Sequence, residues 1–115
     1  MTAQRGVLIH AHGEDGSGLG TALRVARQAA LELVPGTRFE VIVQGPLVRL
    51  LTEGSAAAED VAATVSPLVT VAACRNSMAR AGISEHQLLA DVTTVPSAGA
   101  HLVDRQWDGW AYLRY

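Results

Sequence analysis

An apolar run of strand length that ends at the only thiol of the chain constrains the fold most strongly. Leu68 to Ala73 is rich in β-branched residues and leads directly to Cys74, and the polar residues Arg75 to Ser77 follow at once. A buried strand that passes directly into a helix is typical of α/β proteins with a parallel sheet. The sequence therefore predicts that Cys74 lies at the carboxyl end of a strand, beside the start of a helix.

Strand-like and helix-like segments alternate along the rest of the chain. The other predicted strands are Gly6 to His12, Arg38 to Gln44, Asp91 to Val95, and Trp110 to Tyr115. The first three predicted helices are a segment with an apolar stripe from Leu19 to Leu33, a short helix from Pro46 to Leu51, and a helix capped by Ser55 with its stripe ending at Val65. A helix capped by Asn76 or Ser77 that ends at Gly82 follows, and then a turn with a capping box of Ser84 and Gln87. The last predicted helix starts at Pro96-Ser97 and carries Leu102, Val103 and Trp107. This order predicts one domain over residues 1–115, a three-layer α/β/α sandwich around a mainly parallel five-stranded sheet.

Composition limits the partners of the chain. Hydrophobic residues make up 49% of the sequence and charged residues only 17%, so we expect part of the surface to be buried against other copies. The net charge is −2 and the basic residues are scattered, which argues against nucleic-acid binding. All nine basic residues are Arg, and the absence of Lys excludes a P-loop lysine and a Schiff-base lysine.

The sequence contains no apolar run long enough to span a membrane, and its first residues lack the pattern of a signal peptide. We therefore expect no membrane association and a cytoplasmic location. A lone cysteine stays reduced in that compartment.

Loops that follow the predicted strands define a candidate cleft around Cys74. In a parallel sheet these loops gather at one edge, where open α/β folds bind ligands. A thiolate there is stabilised by the N–H groups of a helix start, and His12 is a candidate base or ion-pair partner for it. The alternative is that Cys74 is a small apolar residue that fills the end of a buried strand.

Five further residues are candidates for binding at the same edge. Asn76 and Ser77 can donate hydrogen bonds to an anion and Arg75 adds positive charge, whereas ordinary capping and turn chemistry is the alternative for each. Asp15 lies in the loop after the first predicted strand and Gln44 ends the second, and ordinary capping and turn chemistry is the alternative for Gln44 as well.

Two familiar motifs are incomplete in this sequence. Gly16 to Gly20 follows a strand like a dinucleotide-binding loop, but Thr21 occupies the place of the third glycine. His10 and His12 point to the same side of one strand but lack a third metal ligand nearby, so no metal and no cofactor is predicted. Hydrogen bonding inside the fold or at a subunit contact is the simpler role for His10.

Three segments together resemble the DsrE/DsrF-like family, also called the YchN-like fold. They are Val71 to Met78 followed by Ala81-Gly82-Ile83, Val95 to Gly99, and Gln106 to Tyr112. The resemblance implies a compact three-layer α/β domain that assembles into homotrimers or homohexamers. It also implies a relation to proteins of intracellular sulfur relay, in which a cysteine at the position of Cys74 carries a persulfide.

Two functions therefore compete. The first is a sulfur carrier or sulfurtransferase-like protein, in which Cys74 exchanges a persulfide with donor and acceptor proteins and needs neither a second cysteine nor a metal. The second is a non-catalytic oligomeric domain that binds a small ligand or a partner at the same edge. The exposure and acidity of the Cys74 thiol distinguish them.

Overall fold

A computed structural model describes residues 5–115 of the chain. Its strands are β1 (Gly6–His12), β2 (Arg38–Gln44), β3 (Val69–Cys74), β4 (Thr93–Val95) and β5 (Ala111–Arg114). Its α-helices are α1 (Gly16–Glu32), α2 (Ala58–Thr64), α3 (Arg75–Ala81) and α4 (Ala98–Trp107), and 3₁₀ turns form at Gly45–Leu51 and Glu85–Gln87. The strands form one sheet in the order β4-β3-β2-β1-β5, and every pairing is parallel.

Helices cover both faces of the sheet, as the alternating sequence predicts. The larger core lies on one face, where Phe39, Val41 and Val43 of β2 meet α1, α2, α3 and the 3₁₀ turn. On the other face, Ala98 and Leu102 of α4 pack against Leu8, Ile42, Ala72, Cys74 and Val95. The predicted three-layer α/β/α sandwich is therefore confirmed.

The predicted caps of two helices are wrong. Helix α3 begins at Arg75 with Cys74 as its N-cap, so neither Asn76 nor Ser77 caps it. Helix α2 begins at Ala58 with Ala57 as its N-cap, whereas the Ser55 hydroxyl donates to the carbonyl oxygen of Leu50 at 2.6 Å and accepts from the Ala57 N–H at 3.3 Å just before the helix.

The last third of the chain also departs from its predicted pattern. Strand β4 contains only Thr93–Val95, since the segment before it turns rather than pairs. Trp107 is 81% exposed and so does not belong to the buried stripe of α4. The capping box is confirmed in part by the Gln87 side chain, which accepts from the backbone N–H of Ser84 at 2.8 Å.

Helix α4 is tied to the sheet by a half-buried cluster of charges. The Glu40 carboxylate of β2 accepts from His101 Nε2 at 2.8 Å and from Arg105 Nε and Nη2 at 3.0 and 3.1 Å. The Arg105 guanidinium also stacks 4.9 Å from the ring of Trp110. These bonds fix α4 over β2, which sets the position of its amino end near Cys74.

Within residues 5–115, no helix is both long and apolar enough to cross a membrane.

Candidate functional site

The carboxyl ends of β1, β2 and β3 meet at one edge of the sheet, and a glycine shapes the middle of that edge. Gly45 follows β2 directly with a φ of 73°, a backbone conformation that glycine adopts readily. Its N–H donates to the Ser77 hydroxyl oxygen at 2.8 Å. This hydrogen bond ties the loop after β2 to the first turn of α3.

Cys74 lies at the end of β3 with its thiol turned toward the face covered by α4. It is 2% exposed and belongs to an apolar cluster that includes Ile42, Val95 and Leu102. As the N-cap of α3, it precedes backbone N–H groups that have no helical acceptor. The thiol therefore has apolar neighbours on one side and polar hydrogens on the other.

The pKa of the Cys74 thiol lies below its ordinary value. Burial raises this pKa, but hydrogen bonds from the Ser77 hydroxyl and from the backbone N–H groups of Ser77, Ala98 and Asn76 outweigh it. Asn76 and Ser77 belong to α3, whereas Ala98 is the first residue of α4. The thiolate is thus stabilised by donors from the starts of two helices.

His12 does not share in this stabilisation. It ends β1, which is separated from β3 by β2, so its backbone lies about 10 Å from that of Cys74. The His12 ring is exposed, and its centroid is 5.8 Å from that of His10. His12 instead lines a surface cavity together with Ser77.

Arg75 and Asn76 lie next to Cys74 in sequence, but their side chains serve other purposes. The Arg75 guanidinium pairs with Glu85 at 2.8 Å and donates to the Thr94 hydroxyl at 3.0 Å. Asn76 is exposed, and its backbone N–H, not its amide, stabilises the thiolate.

Asp15 and Gln44 also have structural partners. The Asp15 carboxylate caps α1 by accepting from the Ser17 N–H at 2.9 Å, a bond that lowers its pKa. Gln44 Oε1 lies 2.8 Å from His10 Nε2. Of the predicted residues, the structure therefore brings only Ser77 and the Asn76 backbone to the thiol.

His10 forms the centre of a hydrogen-bonded chain across three strands. Its Nδ1 lies 2.7 Å from the Tyr112 hydroxyl of β5 and its Nε2 bonds to Gln44 of β2, so both ring nitrogens are engaged inside the fold. The pKa of His10 is lowered, chiefly by burial and also by the nearby charges of His12 and Arg114. Tyr112 was not predicted here, because only the parallel pairing of β1 with β5 brings it to His10.

A cavity of about 280 Å³ opens at the same edge of the sheet. It is lined by His12, Gly45, Pro46, Arg49, Ser77, Arg80 and Ala81. The two arginines were missed by the sequence analysis, although Arg49 follows shortly after the end of a predicted strand. That placement was the available signal for Arg49, since the turn after β2 lines this edge. Arg80 lies in the last turn of α3, and no sequence signal pointed to it.

Across residues 5–115, His, Cys, Asp and Glu side chains form no group of three or more that is arranged to hold a metal ion.

Comparisons with known proteins identify the fold. The chain superposes on a protein of unknown function from Methanobacterium thermoautotrophicum with a TM-score of 0.87 and 29% identity, over 97% of this chain and 99% of that one. The protein has the YchN-like fold. The YchN protein of E. coli aligns with a TM-score of 0.68 and 20% identity, over 97% of this chain and 99% of its own.

A protein of unknown function from Bacteroides thetaiotaomicron shares the fold as well. It aligns with a TM-score of 0.68 and 14% identity, over 96% of this chain and 94% of that one. Neither a protein-family model nor a curated protein matches the sequence. The resemblance noted in the sequence is thus confirmed at the level of the fold, and the structural neighbours are YchN-like proteins of unknown function.

Proposed function

We propose that this protein is a DsrE/DsrF-like sulfur carrier, in which Cys74 takes sulfur from a donor persulfide and passes it to an acceptor thiol. The observation that carries the proposal is the position of Cys74 as the N-cap of α3, beside the first residue of α4, where donors from both helix starts lower the pKa of its thiol despite burial. A lower pKa increases the fraction of thiolate at neutral pH, and the thiolate is the nucleophile in persulfide exchange.

The transfer requires no change in overall oxidation state and no second cysteine. The Cys74 thiolate attacks the terminal sulfur of the donor persulfide, and the donor's sulfur–sulfur bond breaks to release the donor thiolate. The proton of the donor persulfide remains on the transferred sulfur. In the second step an acceptor thiolate attacks that terminal sulfur, and Cys74 leaves as a thiolate.

Transfer also requires access to the thiol. Cys74 is only 2% exposed, so a donor reaches it after a local opening of the segments that cover it. A donor persulfide must displace the start of α4 to reach the sulfur, because Ala98 belongs both to the apolar cluster around the thiol and to its hydrogen-bond donors.

The same burial favours a second candidate function. In it the protein is a non-catalytic oligomeric domain that binds a small ligand or a partner protein, and Cys74 only packs against Ile42, Val95 and Leu102. The binding surface is then the edge of the sheet near the cavity, not the thiol.

Under either candidate function we expect the protein to form an oligomer. The exposed large hydrophobic residues include Leu31, Leu33, Val34, Val103, Trp107, Tyr112, Leu113 and Tyr115. We propose that copies of the chain cover part of this surface in a homotrimer or homohexamer, and that the assembly works with sulfur donor and acceptor proteins in the cytoplasm. Light scattering tests the assembly, and a monomeric mass at micromolar concentration would contradict it.

The test of the carrier function measures both the reactivity of Cys74 and its sulfur load. Iodoacetamide labelling of the folded protein across pH gives the thiol pKa, and the intact mass after incubation with a low-molecular-weight persulfide shows any added sulfur. We expect a pKa below the ~8.5 of a free cysteine and the mass of one extra sulfur atom. The Cys74→Ser variant, which keeps a small polar side chain, should gain none.

Failure would be equally clear. Labelling only after unfolding, with no sulfur added by the persulfide, would overturn the carrier function and leave the binding domain as the proposal.

A further inference from the structure

The cavity at the carboxyl ends of β1 and β2 is lined by three basic side chains and by no acidic one. Arg49 enters from the 3₁₀ turn after β2, Arg80 from the end of α3, and His12 from the end of β1. We propose that this cavity binds a phosphate-sized oxyanion, either free or as the terminal group of a small molecule. This site goes beyond the proposed sulfur carrier, because Cys74 does not line it.

The two arginines have most of their hydrogen-bond donors to spare. Within residues 5–115, neither guanidinium forms a salt bridge. In the same part of the chain, the hydrogen bond of Arg49 is one of 3.5 Å to the carbonyl oxygen of Ala81, and Arg80 has none. A guanidinium presents five N–H donors in a planar fork that suits oxyanions, so these side chains are suited to an anionic ligand.

The acidic residues that are near the lining residues in sequence do not neutralise the positive charge of the cavity. The Asp15 carboxylate is engaged with the Ser17 N–H, and Glu85 is paired with Arg75. Glu14 follows His12 by two residues and is exposed, but it does not line the cavity. An anion in the cavity therefore has cationic groups as its nearest charged neighbours.

Size and donor arrangement favour a tetrahedral oxyanion over a carboxylate. The volume of about 280 Å³ is at the lower end for small-molecule pockets, so it suits a compact anion with at most a short attached group. The donors His12, Arg49 and Arg80 come from three separate elements, so they can contact several oxygens of one bound ion. They match the several oxygens of a phosphate better than the two coplanar oxygens of a carboxylate.

Another cavity, of about 360 Å³, provides a contrast. It lies at the opposite edge of the sheet, among residues such as Val7, Leu33 and Val34, with Arg5 as its one charged lining residue. The cavity beside Ser77 is thus lined by more basic side chains than this one. Arg38 and Arg105 line a third cavity, of about 180 Å³, but there the Glu40 carboxylate stands beside them.

Calorimetric titration of the full chain with inorganic phosphate, in sodium chloride of matched ionic strength, tests the proposal. We expect saturable binding that is weakened about tenfold by Arg49→Gln or by Arg80→Gln, the usual effect of losing a charge-assisted hydrogen bond. Arg24→Gln is the matched control, because it removes the same charge from an exposed position on α1. It should bind phosphate like the unaltered protein.

Two further titrations separate this site from its alternatives. Cys74→Ser should retain phosphate binding even if persulfide loading fails, so the two proposals can fail independently. Acetate should bind at least tenfold more weakly than phosphate. The proposal would be overturned by the absence of saturable phosphate binding, by equal weakening in Arg24→Gln, or by acetate binding as tightly as phosphate.

Discussion

The Gly45 N–H and the Ser77 hydroxyl form a 2.8 Å hydrogen bond that joins the thiol to the neighbouring cavity. Ser77 accepts from Gly45 on one side, and its hydroxyl helps to lower the pKa of Cys74 on the other. Both Gly45 and Ser77 also line the cavity that contains Arg49 and Arg80. A change at either residue should therefore affect the thiol and the backbone around it together.

Replacing Ser77 by Ala should raise the pKa of Cys74 and slow its alkylation at neutral pH, because the thiolate loses a hydroxyl donor. The same change leaves the Gly45 N–H without its acceptor, which should lower the free energy of unfolding by roughly 1 to 3 kcal/mol. Iodoacetamide labelling across pH and urea unfolding measure the two effects. Ser17→Ala, at an exposed position of α1, should leave the labelling profile unchanged.

His12 and Arg75 should have no measurable influence on the acidity of Cys74. Neither contributes to the lowered pKa of the thiol, and Arg75 is already paired with Glu85. His12→Ala and Arg75→Gln should each label with the pH profile of the unaltered protein. A rise in the Cys74 pKa in either variant would show that the side chain reaches the sulfur in solution.

Gly45→Ala should destabilise the protein by roughly 1 to 2 kcal/mol, because its φ of 73° lies in the left-handed region that residues with a Cβ disfavour. Gly20→Ala should change the stability in the opposite direction. Gly20 lies inside α1 with open space around its Cα, so Ala there should stabilise the protein by about 0.5 to 1 kcal/mol. Thermal unfolding of the pair measures both shifts, and changes of the same sign would contradict this account.

The cluster of Glu40, His101 and Arg105 should make the free energy of unfolding fall at acid pH. Burial raises the pKa of Glu40, but hydrogen bonds and charge from Arg105 and His101 outweigh it, so the pKa in the folded state is lowered. A carboxyl group with a lowered folded pKa contributes stability that is fully present above its unfolded pKa, about 4.3. That stability is lost as the pH falls from there through the folded pKa.

Glu40→Gln should therefore cost roughly 1 to 3 kcal/mol at neutral pH and progressively less below pH ~4.3. Urea unfolding at a series of pH values measures this difference. Glu53→Gln, an exposed carboxylate outside the cluster, should stay within about 0.5 kcal/mol of the unaltered protein. An equal cost of Glu40→Gln at all pH values would contradict the ionised pairing.

Tyr112→Phe should loosen the attachment of β5 by removing the hydroxyl that bonds to His10 Nδ1 at 2.7 Å. The expected cost is about 0.5 to 1.5 kcal/mol, together with faster amide exchange in β5. Tyr115→Phe is a closely matched control, since both tyrosines are 38% exposed. Equal effects of the two changes would indicate a loss at the surface rather than at His10.

Local patterns were sufficient to predict the order of the elements and much of their extent. Strands β1 and β2 begin and end where the sequence predicts, because each is a mostly apolar run of strand length that stops at a glycine, Gly13 or Gly45. The predictions failed where a side chain had a choice of partners. The Ser55 hydroxyl bonds to the Leu50 carbonyl and to the Ala57 N–H, but Ala57 is the N-cap of α2. Ser77 accepts from Gly45 rather than capping α3.

The sequence by itself determined that Cys74 ends a buried strand and precedes a helix, since both follow from hydrophobic period and local start signals. Only the tertiary structure decided its neighbours. The order of the strands placed β2 between His12 and Cys74, and the return of α4 over the sheet brought the Ala98 N–H to the thiol. Strand order and the path of α4 depend on contacts between residues far apart in the chain, and local periodicity carries no information about those contacts.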